Sequence, residues 1–116
     1  MPNQLGELDD VFGALSHPAR RGVVHRLSAG PAAVSELAEP FDMALPSFLQ
    51  HLRVLEEAAL VDSEKAGRVR TYRLTPRPLA DAQGWLQRQR TLWERRFDQL
   101  DDYLYELDAQ QQETDP

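Results

Sequence analysis

MALPSFLQHLRVLEEAAL, residues 43–60, is the stretch that decides how the rest of this sequence is read. Phe48, Leu52, Leu55 and Ala59 recur at three- and four-residue spacing, so a helix through them carries one apolar face. Ser47, Gln50 and Arg53 fall on another face. Pro46 fits only in a first turn, where a missing N–H is harmless. The spacing therefore predicts a helix of about four turns with an apolar underside and a small, polar outer face. Such a face suits the major groove of DNA, where base edges offer donors, acceptors and thymine methyls. Taken alone, the same pattern also describes a core helix with a solvated side.

The residues on either side narrow the choice. Upstream, Leu5, Leu8, Val11, Phe12 and Leu15 predict a first helix over residues 4–15. Ser16-His17-Pro18 breaks it and opens another, with Ser16 or His17 as the cap and Pro18 in the first turn. Val23, Val24 and Leu27 give this second helix its stripe, and Gly30-Pro31 ends it. A short helix follows over 34–41, with Val34, Leu37, Ala38 and Phe41 inward. Asp42 then marks a tight turn and tolerates a left-handed backbone better than most residues. Short helix, tight turn and longer helix make a helix-turn-helix.

Downstream the period changes from 3.6 to 2. Residues 60–64 and 69–74 read as two strands, turning through Ala66-Gly67-Arg68. Lys65, Arg68, Arg70 and Arg73 concentrate positive charge on this hairpin, which suits contact with phosphate. A basic hairpin after a helix-turn-helix is a wing. After Pro76 and Pro78, Leu79, Leu86, Trp93, Leu100 and Leu107 fall seven apart on a last helix. Trp85, Leu92, Phe97 and Leu104 widen that stripe. A 116-residue chain has too little else to cover it, so a second copy of the chain is the expected partner.

Composition sets the outer limits. The chain holds no cysteine, which excludes disulfides, thiolate metal ligands and thiol redox sensing. The hydrophobic content of 41% is ordinary for a soluble protein. No apolar run is long enough for a membrane span, and the acidic first residues do not form a signal peptide, so a cytoplasmic location is the expectation. The net charge of −6 argues against nucleic acid at first sight. Its distribution does not. Residues 1–15 carry −3 and residues 78–116 carry −5, whereas residues 16–77 carry +2. Binding to DNA needs a local positive surface, not a positive total. No glycine-rich phosphate loop, nucleophile elbow or acid–base cluster is present, so no enzyme is expected. Asp98, Asp101, Asp102, Glu106 and Asp108 read as a solvated helix face.

The order of these elements resembles the ArsR-type (arsenical-resistance-repressor-like) winged-helix transcriptional regulators. The resemblance is carried by LSHPARRGVVHRL (15–27), VSELAEPFDMALPSFLQHLRVLEEAALV (34–61) and KAGRVRTYRLTP (65–76), and extends loosely over residues 5–108. It implies a mainly α fold of about five helices with a small β-hairpin wing, dimerised through the first and last helices. It implies a DNA-binding core over 1–78, a dimerisation helix over 79–108 in the same domain, and a polar tail over 109–116. It also implies a repressor that binds an imperfect palindrome and is released by an effector, here unidentified. Carried over by position, base contact falls on Leu45, Pro46, Ser47, Leu49 and Gln50. Backbone contact falls on Arg53, Arg68 and Arg70, to which the residues themselves add His51, beside Gln50, and Lys65, on the basic hairpin. The dimer interface takes Leu5, Leu8, Phe12, Leu86, Trp93, Leu100 and Leu104. A winged helix used only for protein–protein contact, through the long helix and without DNA, is the alternative.

Three departures from the family pattern matter. Ala44 stands where a capping serine is usual, leaving the recognition helix poorly capped. Leu45 and Leu49 stand where polar residues are common. One turn apart, they either meet thymine methyl groups or bury themselves against the short helix. Many relatives sense metals through cysteines in the short helix or through Asp/His pairs on the last one. Here the short helix reads SELAEPF and the last helix has no histidine. Among His17, His25 and His51 none forms a His-x-His or spaced Asp/His ligand set. No metal and no cofactor are expected. Metal analysis of protein loaded with zinc, cobalt or nickel should find less than stoichiometric binding; a full equivalent would refute the reading.

Overall fold

A computed structural model describes residues 4–114, with side chains from Gly6 to Gln112. The order is α1 (Gln4–Ala14), α2 (Pro18–Leu27), β1 (Ala32–Ala33), α3 (Val34–Ala38), α4 (Leu45–Glu57), β2 (Val61–Ala66), β3 (Val69–Leu74) and α5 (Pro76–Thr114). Among the described residues this is the five-helix winged helix-turn-helix expected. The chain divides into one unit ending at Ala82 and a second beginning at Gln83.

Local chemistry sets the boundaries of the first unit. Ser16 Oγ donates to the carbonyl of Gly13 at 2.6 Å, closing the end of α1. His17 caps α2, its Nδ1 accepting from the Ala19 N–H at 3.1 Å, with Pro18 in the first turn. α4 opens on Ala44 without a side-chain cap, as the sequence implied. Its apolar face is buried at Phe48, Leu52 and Leu55. These three meet Val23 of α2, Leu37 of α3 and Leu60 as the largest fully buried side chains. Each such side chain contributes about 1.5–3 kcal/mol on leaving water. Phe41, in the α3–α4 connection, sets its ring 5.5 Å from that of Phe48. Gly22 permits this: a Cβ there would lie 2.8 Å from Phe41 Cζ.

The sheet has three antiparallel strands in the order β1-β3-β2. The hairpin is the expected wing, with Ala66 opposite Val69 and Gly67 at φ +63 in the turn. The short β1, which pairs Ala32 with Tyr72 and Ala33 with Thr71, was not read from the sequence. Two alanines carry no alternation; they are a strand because β3 offers them an edge.

Other boundaries also differ from expectation. α3 stops at Ala38, so the connection to α4 is longer than a tight turn. Asp42 is not left-handed; the one non-glycine residue at positive φ among those described is Ala59, at +60. Ala59 is therefore not on the apolar face of α4, and it is exposed. It ends that helix. Its N–H donates to the carbonyl of Glu56 at 2.9 Å, and the Leu60 N–H to that of Leu55 at 3.0 Å. This is the Schellman arrangement, which favours glycine at that position. It swings the fully buried Leu60 inward and launches β2. α5 begins at Pro76 rather than Leu79 and continues to Thr114, through the segment read as a polar tail. In the second unit, Leu86, Trp93, Leu100 and Leu104 are each at least half exposed. A left-handed alanine costs about 1–2 kcal/mol, and glycine loses about 0.5–1 kcal/mol of chain entropy in exchange. Ala59→Gly should therefore stabilise the fold by about 0.5–1 kcal/mol and raise the melting temperature by about 2–6 °C in thermal denaturation; an unchanged or lower value contradicts the strain.

Candidate nucleic-acid interface

Burial of Phe48, Leu52 and Leu55 leaves the opposite side of α4 facing out. Leu45, Pro46, Ser47, Leu49, Gln50 and Arg53 are all exposed. Leu45 is 54% exposed and Leu49 39%, so burial against α3, one of the two alternatives for these leucines, does not occur. Arg53 Nη1 donates to Gln50 Oε1 at 3.3 Å along the same face.

His51 differs from its neighbours. It is half-buried, and Arg20 Nη1 lies 3.0 Å from its Nδ1. A guanidinium only donates, so Nδ1 must be the unprotonated nitrogen and the ring proton sits on Nε2. Arg20 also donates from Nε to the carbonyl of Ala14 at 2.6 Å and from Nη2 to that of Gly13 at 3.3 Å. One side chain thus closes the end of α1 and holds the middle of α4. The ring of His17 lies 4.3 Å from that of His51.

On the wing the basic residues are not equivalent. Arg73 pairs with Asp62 at 2.6 Å and with Glu64 at 3.8 Å, which neutralises it. Arg70 Nη1 donates to Ser63 Oγ at 2.8 Å, and Ser63 Oγ donates to Glu56 Oε1 at 3.2 Å. The wing is thereby tied to the end of the recognition helix. Tyr72 lies beside this chain; burial first, then the Glu56 carboxylate, pushes its phenol above the usual range. Lys65 and Arg68 are exposed and form no ion pair among the described residues. Lys65 stands opposite Arg70 across the hairpin, an arrangement of like charges that an anion would relieve.

Of the residues read at a dimer interface, Leu8 is only 6% exposed, buried within its own unit, and Phe12 is 36% exposed. The side chain of Leu5 lies outside those described. Leu86, Trp93, Leu100 and Leu104 present open apolar surface, and Arg96 stacks 5.4 Å from the Trp93 ring. Among the described residues no three metal-ligating side chains come together, and no helix is long and apolar enough to cross a membrane.

Nothing in the spacing of residues pointed to Arg20, Glu56 or Ser63. Tandem arginines after a helix-starting proline do not reveal which one turns inward. The His51 arrangement has a measurable consequence. Burial, then the positive charges of His17 and Arg20, holds its imidazole pKa below the ordinary value of 6.5. The unfolded chain then takes up the proton first as pH falls. The stability this contact supplies is present above about pH 6.5 and is lost below it. The melting temperature should fall between about pH 7 and pH 5, and less so in His51→Gln, whose amide oxygen can still accept from Arg20. Parallel curves for the two proteins would contradict the neutral ring.

Comparison with known proteins agrees with this geometry. A helix-turn-helix domain family matches residues 15–64. The HTH-type transcriptional regulator Rv2034 of Mycobacterium tuberculosis is 44% identical over 72 residues, covering 62% of this chain and 67% of that protein. The transcriptional repressor SdpR of Bacillus subtilis is 30% identical over 68% of this chain and 88% of its own. The crystal structure of an ArsR family transcriptional regulator superposes with a TM-score of 0.75 at 48% identity, covering 81% of this chain and 97% of that one. With the helix-turn-helix, the wing and these relatives together, the chain belongs to the ArsR family of winged helix-turn-helix transcriptional regulators.

Proposed function

We propose that this chain is a sequence-specific, homodimeric repressor that binds an imperfect palindrome in duplex DNA. The observation that carries the reading is the outward face of α4. Leu45, Pro46, Ser47, Leu49, Gln50 and Arg53 are all solvent-facing on a helix whose other side is locked into the core. Set in the major groove, this face meets base edges. Lys65 and Arg68 on the wing, with no acid committed to them, supply contact with the flanking backbone. Arg70, held by Ser63, keeps its charge and also sets the angle of the wing. His51, with Nδ1 taken by Arg20, offers phosphate an uncharged Nε2–H donor.

The second copy follows from α5. Leu86, Trp93, Leu100 and Leu104 leave a stripe of apolar surface that one chain does not cover. Pairing of α5 with its copy gives a two-fold axis. Two recognition helices then enter successive major grooves about 34–36 Å apart. The two copies make the half-sites palindromic.

A gel shift on the protein's own promoter fragment tests this. If each subunit meets about four phosphates, the slope of log affinity against log salt is about −7. Lys65→Ala with Arg68→Ala should reduce that slope by about 3 to 4 per dimer and weaken binding to specific and random duplex alike. Sedimentation should give a dimer. A flat salt dependence, unchanged affinity in the double variant or a monomer overturns the reading.

A further inference from the structure

Only four large hydrophobic side chains described up to Ala82 are exposed: Phe12, Leu45, Leu49 and Val69. Two of them, Leu45 and Leu49, lie one turn apart along one flank of α4, Leu45 as its first residue. The fold has no use for them there, because Phe48, Leu52 and Leu55 already fill the inner face. The polar groups beside them are few. Arg53 holds Gln50 through the amide oxygen. A guanidinium can only donate, so the oxygen faces Arg53 and the NH2 is left as a donor for a base acceptor. In the major groove thymine presents O4, an acceptor, and C5-methyl, the one apolar group on any unmodified base edge.

We propose that Leu45 and Leu49 read thymine methyl groups, so that each operator half-site carries thymines fixed by apolar contact rather than by a bidentate hydrogen bond. The proposal rests on the DNA-binding reading above and adds the base it selects. Four residues of helix advance about 6 Å, and successive bases on one strand lie about 3.4 Å apart. The two thymines therefore fall on neighbouring or next-but-one base pairs. Gln50 Nε2, one residue on from Leu49, donates to thymine O4 or to a purine N7 in the same step. Arg53 fixes the sense of that amide and is a positioning residue for it.

The test removes methyl groups one at a time. Duplexes are selected by the wild-type protein from a random-sequence pool, and each thymine of the selected site is replaced in turn by deoxyuridine, which lacks only the C5-methyl. Affinity should fall about fourfold at one or two positions in each half-site, the effect of one buried methyl group. Leu49→Ala should bind the thymine and deoxyuridine duplexes equally at one of these positions, and Leu45→Ala at the other. Both variants should keep the wild-type melting temperature, since both side chains are exposed. Deoxyuridine at every thymine with no change in affinity overturns the proposal, as does full discrimination retained by both alanine variants. Failure to select any duplex over random competitor strikes the DNA-binding reading itself, a result distinct from either of these.

Discussion

Burial of Phe48, Leu52 and Leu55 of α4, in the same core as Val23, Leu37 and Leu60, is the constraint from which the rest of the first unit follows. Their burial fixes the rotation of α4 about its own axis. With a helical repeat of 3.6 residues, locking positions 48, 52 and 55 inward sets 46, 50 and 53 outward and 49 at the flank, while Leu45, on the inward side by angle, is exposed as the first residue of the helix. The exposed face is therefore a consequence of the core. A change in the core that turned α4 by a fraction of a turn would re-aim every side chain able to meet a base.

The arginines in this chain divide between wiring and surface. Arg20 binds the carbonyls of Gly13 and Ala14 and the ring of His51, so it joins α1, α2 and α4. Arg70 reaches Glu56 through Ser63, joining the wing to the end of the recognition helix. Arg53 orients Gln50. Such contacts, mostly exposed, add little stability, but they restrict the angles at which helix and wing stand. On the wing, positive charge without an acid paired to it remains at Lys65, Arg68 and Arg70. This reconciles an acidic chain with a nucleic-acid-binding surface: the relevant charge is local and already placed.

α5 poses a different physical problem. Its stripe at Leu86, Trp93, Leu100 and Leu104 is open to water along the second unit. Apolar surface of that extent on a helix is stable only when something covers it. In the dimer proposed above, a partner copy would bring the same seam and meet it with like residues, which is how a seven-residue repeat is ordinarily satisfied.

Much of this was legible in the sequence. Helical spacing at Phe48, Leu52 and Leu55, the period-2 hairpin around Gly67 and the seven-residue repeat of α5 are local patterns, and local patterns survive into the fold. The outer face of α4 was legible for the same reason, since one helix face implies the other. Contacts between distant segments were not. β1 is a strand only because β3 lies beside it, and His51 is a half-buried neutral ring only because Arg20 comes from thirty-one positions away. Ala59 looked like part of an apolar stripe, and the need to carry Leu60 into the core made it a left-handed helix stop. Leu45 and Leu49 stood between two environments until the tertiary structure, having filled the interior with other side chains, left them facing outward. Residue spacing determines which side chains share a face; only packing decides what that face meets, because burial belongs to the whole chain and periodicity to one segment of it.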